Sequence, residues 1–131
     1  MIALLLLWQL ESNLGRFPLP LIIGMTGESR TYHGVSIAKV KDTQWTHVSV
    51  CGKVTLAKHE DDGDAHLRLE ADGAFIVAEI VPYHPLPIPK VGQWVRVAGI
   101  SREDKTHHWF EVHPVEAIRV VDSCTTSPAG S

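Results

Sequence analysis

Long apolar runs are missing from this sequence. The run Ile2–Trp8 covers seven residues, far short of the ~20 that a membrane-spanning helix needs. No Lys or Arg precedes it, and no small-x-small cleavage pattern follows, so it makes a poor secretory signal. A cytoplasmic location is therefore favoured over export. Cysteine is scarce too. Cys51 and Cys124 form no CxxC pair, so neither a zinc knuckle nor a disulfide framework is indicated, and both are expected as reduced thiols. There is no basic excess: the formal net charge is -3, which counts against tight non-specific binding to phosphates. Aromatic residues are 7% of the chain, few for a surface built mainly on base stacking. A Gly-rich phosphate loop, a Gly-x-Ser-x-Gly elbow and a Cys–His nucleophile pair are all lacking, which disfavours kinase, dinucleotide and common hydrolase readings.

What is present suits one ordinary globular domain. The chain has 131 residues, 44% hydrophobic and 21% charged, enough to bury a core. Residues 1–34 stand apart as an apolar N-terminal extension. They read as a degenerate leader, as upstream translation ahead of Met25, or as an element that packs. A packed element is favoured because an exposed apolar run is a sticky patch. A homodimer through residues 1–24 is the expected way of covering it.

From residue 35 the pattern changes to a period of two. Val48 and Val50 alternate with His47, Ser49 and Cys51, and Val54 and Leu56 continue the alternation past Gly52. That period marks a half-buried strand, and a mid-strand Gly suggests a bulge or a barrel bend. Ala65–Glu70 and Ala74–Val81 are the next two strands, preceded by Asp62-Gly63 and Asp72-Gly73 turns. The Pro-rich stretch 82–89 cannot continue a sheet and opposes a long helix. Trp94–Ile100 is the fourth strand and 101–108 a charged loop. Trp109–Val121 is the fifth strand, with a break expected at Pro114. Residues 122–131 form a tail expected to fray. This predicts an all-β fold, a five-stranded OB-like Greek-key barrel over 35–121, because the long kinked first strand must serve both sheets of such a barrel.

Four stretches share a further likeness. They are Asp62-Gly63-Asp64-Ala65-His66-Leu67, Glu79-Ile80-Val81-Pro82, the Asp104-x-x-His107 loop, and Glu111-Val112-His113-Pro114-Val115. In this order they resemble a group of bacterial OB-fold-like proteins of unassigned function, over roughly Val48 to Val120. The resemblance implies a fold and a recurring polar set rather than a reaction.

The polar residues suggest two chemistries. His66, Glu79, His107 and His113 are candidate ligands for a divalent metal ion, with Asp64, Asp104 and Glu111 orienting them from behind. Such a site would open the way to hydrolysis. Glu111 and His113 lie two apart and so share a face. His107 and His108 point apart, and the resemblance favours His107. The plainer reading is that Asp–His pairs pin loops to strands. The second chemistry is binding. Arg68, Arg96 and Trp109 are candidate contacts for single-stranded nucleic acid or another extended polymer across the second, third and fifth strands. A third possibility is a structural domain that assembles through its N-terminus.

Overall fold

The computed structural model of the protein describes residues 31–124. Residues 33 and 34 of the apolar extension form a strand, while the expectations for its residues 1–30, including a dimer contact through residues 1–24, fall outside that range. So does the tail beyond Cys124.

The period-two alternation resolves into strands. β1 (His33–Gly34) runs parallel to the start of β2 (His47–His59), followed by β3 (Ala65–Ala71), β4 (Ala74–Ile80), β5 (Trp94–Asp104) and β6 (Trp109–Val121). The sheet runs β1-β2-β3-β4-β6-β5 and closes on itself through β2–β5 pairing. The long first barrel strand serves both sides, as its length requires. Its residues 47–53 pair with β5 and 53–59 with β3.

Gly52 sits at that crossover. A Cβ there would stand 2.6 Å from Ile37 Cδ1 and 3.1 Å from Leu69 Cβ, so the close approach requires glycine. The bulge itself lies three residues further on, between Val54 and Leu56. One inserted residue reverses the parity of the strand. Val54 is therefore fully buried, whereas Leu56 is turned out to solvent, against the simple alternation.

Inward positions fill the barrel: Val48, Val50, Leu67, Leu69, Ile76, Val95, Val97, Val112 and Val115 are buried. Each contributes on the order of 2 kcal/mol by leaving water. A short 3-10 helix, Ile37–Asp42, was not expected from the sequence. Ile37 and Val40 are its buried residues, three apart and thus on one side of a three-residue turn. It touches all five barrel strands and plugs one end. The Pro-rich stretch carries no helix.

The turns follow their chemistry. Asp72 (φ 52°) and Gly73 (φ 78°) both adopt positive φ, the requirement of the tightest hairpin turn. At the other Asp-Gly turn, Asp62 rather than Asp64 supplies the side-chain acceptor, taking the Asp64 N–H at 3.0 Å. Two boundaries moved. β5 continues to Asp104, well into the stretch read as loop, and β6 runs through Pro114 without ending. The His113–Pro114 peptide is cis.

The cysteines overturn the expectation of reduced thiols: Cys51 and Cys124 are joined in a disulfide, with Cα atoms 5.6 Å apart. Lys53, Trp94 and Val121 form one row across β2, β5 and β6. The chain leaving β6 therefore emerges close to Cys51, although 73 residues separate the two in sequence. The first residues of the supposed tail are anchored by this bond.

Candidate functional site

Strand register gathers the polar residues on one outer wall. On β3, Ala65, Leu67 and Leu69 are buried, so His66, Arg68 and Glu70 point outward. On β4 the outward set is Phe75, Val77 and Glu79, and on β6 it is Trp109, Glu111 and His113. Register then joins the rows: His66 faces Glu79, Val77 faces Glu111, Arg102 faces Glu111, and Asp104 faces Trp109.

Glu79 is the hub. Its side chain is 5% exposed, and its two oxygens meet two imidazoles. Oε1 lies 2.8 Å from His66 Nε2, and Oε2 lies 2.6 Å from His113 Nδ1. His66 Nδ1 in turn faces Glu60 Oε1 at 3.5 Å. Glu111, fully buried, accepts from Arg102 Nε (2.5 Å) through Oε1 and from Trp109 Nε1 (3.0 Å) through Oε2. His113 Nδ1 also stands 3.4 Å from Glu111 Oε1.

The charges in this network compensate one another. Hydrogen bonding to Glu111, then to Glu79, raises the His113 pKa to about 9, so the imidazole is cationic at neutral pH. Burial pushes the Glu111 carboxyl up, but hydrogen bonds from His113, Arg102 and Trp109 outweigh it and hold the group below its ordinary value. Asp64 is raised, first by burial and then by the neighbouring charges of Asp62 and Glu79.

A second cluster lies at the β5–β6 turn. Asp104 Oδ1 accepts the N–H groups of Thr106 (2.9 Å) and His107 (3.1 Å), and Oδ2 lies 2.8 Å from His107 Nδ1. The hydrogen bond with His107 lowers Asp104 and raises His107. The His107 ring stacks on Trp109 with centroids 4.5 Å apart and planes 8° from parallel. The edge of Trp109 meets His66 at 6.2 Å.

Of the residues singled out from sequence, the structure brings together His66, Glu79 and His113 with Asp64 and Glu111. Two triads have ligand atoms within 4.8 Å of one another: Asp64–His66–Glu79 and Glu79–Glu111–His113. His107 stands outside both, held by Asp104 and stacked on Trp109. Arg68 covers the Phe75 ring at 4.0 Å and pairs with Glu70 at 3.3 Å. Arg96 lies on a different wall, between Cys51 of β2 and Arg119 of β6, with a hydrogen bond to Ser49 Oγ at 3.3 Å. The residues whose place in the network sequence reading missed are Arg102 and Glu60. Arg102 shares the outward parity of Asp104, a signal that reading 101–108 as loop concealed.

No family model matches the sequence, and no curated protein matches it. Solved structures do. Telomere capping protein Ten1 from Saccharomyces pombe superposes with a TM-score of 0.54 at 17% identity, over 72% of this chain and 85% of that one. Asparaginyl-tRNA synthetase from Pyrococcus horikoshii gives 0.55 at 18%, over 72% of this chain but 24% of the synthetase. The hypothetical protein ygiW from E. coli gives 0.53 at 17%, over 70% and 94%. With the closed five-strand barrel, these likenesses make the chain an OB-fold protein.

Proposed function

We propose that the chain is a binding module that holds a short single-stranded oligonucleotide on the outer wall of β3, β4 and the start of β6. The observation that carries this reading is the pair of exposed π surfaces on that wall. His107 lies flat on Trp109, and the Arg68 guanidinium lies over Phe75. Each presents a flat face on which a base can stack, at ~1–3 kcal/mol per base. The wall belongs to the strands and loops where OB barrels take oligomeric ligands. A telomere capping protein and a tRNA synthetase among the structural neighbours lend support at the level of fold.

Charge limits the mode of binding. Glu60, Asp61, Asp62, Asp64 and Glu70 crowd the same region, and Arg68 is shared with Glu70. Few phosphates are neutralised, so stacking must dominate. The test is fluorescence anisotropy with labelled ten-nucleotide DNA and RNA, single- and double-stranded, at several salt concentrations. Saturable binding to single strands is expected, with a log–log salt slope near -1 to -2, roughly 0.7 per phosphate contact. Phe75→Ala and His107→Ala should each weaken it about tenfold or more. Affinity unchanged in both variants, or equal for duplex, would refute the assignment.

A further inference from the structure

His66 is held between carboxylates on both ring nitrogens: Glu79 Oε1 2.8 Å from Nε2 and Glu60 Oε1 3.5 Å from Nδ1. A metal ion held at Nε2 would leave the Nδ1 N–H to face Glu60. Asp64 completes the surroundings, with its carboxylate, His66 and Glu79 offering ligand atoms within 4.8 Å of one another. Among the described residues, no Lys or Arg forms an ion pair with Asp64 or Glu79.

We infer that Asp64, His66 and Glu79 form a binding site for a divalent transition cation of the zinc or cobalt class. One imidazole and two carboxylates are a donor set such ions accept. The supporting contacts match those of a metal site. A ligating His donates its remote N–H to a carboxylate, and ligating carboxylates are themselves hydrogen-bonded. Glu60 serves the first role, and His113 serves the second through Glu79 Oε2. Side chains on β3 and β4 face each other in register here, so the ligands sit on a rigid frame, with Asp64 at the edge of the adjoining turn.

The neighbouring triad, Glu79–Glu111–His113, has the right spacing but the wrong chemistry. Glu111 already accepts from Arg102 and Trp109, and an arginine does not give up its proton. That half of the network positions Glu79 and does not bind the ion.

Metal binding and oligonucleotide binding stand on different observations, and either can fail alone. Chelator-treated full-length protein is titrated with cobalt(II), followed by its visible absorption, and with zinc by calorimetry, without nucleic acid. One equivalent per chain is expected. Asp64→Asn and His66→Gln should weaken binding at least tenfold, while His107→Ala leaves it unchanged. Thermal melts check that each variant folds, and if His66→Gln does not, the turn variant Asp64→Asn carries the test. No saturable binding, or full affinity in a folded Asp64→Asn or His66→Gln, would overturn the inference.

Discussion

His113 on β6 and Glu79 on β4 are joined side by side across a parallel strand pair, with His113 Nδ1 2.6 Å from Glu79 Oε2. Glu79 is 5% exposed and the imidazole 20%, so the contact is shielded from water and salt. It ties together the two strands whose parallel pairing closes this side of the barrel.

The contact makes stability depend on pH. His113 is raised from 6.5 to about 9 in the folded chain by Glu111 and Glu79. A raised folded-state value means the stabilisation is complete below the unfolded value and is lost as pH rises through the folded one. Chemical denaturation of metal-free protein should therefore show stability falling between pH 6.5 and about 9, by up to ~3 kcal/mol. In His113→Gln most of this slope should be lost, the exposed His107–Asp104 pair leaving only a small remainder of the same sign. An equal slope in the variant would assign it elsewhere.

Glu111 is fully buried, and Arg102 is its cationic partner. Removing that partner leaves the buried carboxylate with Trp109 and the imidazole of His113, which it shares with Glu79. Arg102→Ala should cost about 3 kcal/mol and lower Tm by on the order of 10 °C. The doubly apolar variant Arg102→Met/Glu111→Leu should recover much of the loss, because neither charge of that pair remains to be desolvated and His113 keeps Glu79 as its partner. Thermal melts of the three proteins decide this.

Reduction should destabilise the barrel. The Cys51–Cys124 bond closes a loop of 73 residues, for which restricted freedom of the unfolded chain contributes about 4 kcal/mol. Urea unfolding with and without dithiothreitol should show that difference, and Cys124→Ala should match the reduced protein. Coincident curves would mean the cross-link adds nothing. Bonds of this kind persist in oxidising compartments, whereas the expectation of a cytoplasmic location rested on the N-terminal run as a poor secretory signal.

Gly99 should not tolerate a side chain. A Cβ there would collide with the Pro114 carbonyl oxygen and stand 2.6 Å from Val112 Cγ1, where β5 and β6 shift register. Gly99→Ala should cost roughly 2 kcal/mol or more. Gly73→Ala has open space but φ of +78°, so its cost of about 1 kcal/mol should come from backbone strain alone. Denaturant midpoints of the two variants test the ranking.

Much of the barrel was legible in the chain. Alternation at Val48–Val50, Leu67–Leu69 and Val95–Val97 reports burial on one face directly, because a strand turns successive side chains to opposite sides. The two Asp-Gly turns were legible for a similarly local reason: each needs a backbone conformation that few residues adopt. The candidate site was legible only in part. His66, Glu79 and His113 stood out by residue type, and His107 looked no different from them. Its ring in fact belongs to Asp104 and Trp109.

The sequence alone determined the strands, the turns and the residues able to do chemistry, since these follow from local periodicity and side-chain type. Register, closure and partners were decided by the tertiary structure. Glu79 meets His113 only because β4 lies beside β6. Leu56 turns outward only because one residue bulges after Val54. Cys124 finds Cys51 only because β6 ends two strands away from it. Each depends on contacts between segments far apart in the chain, whose energies come from packing and pairing that no local pattern encodes.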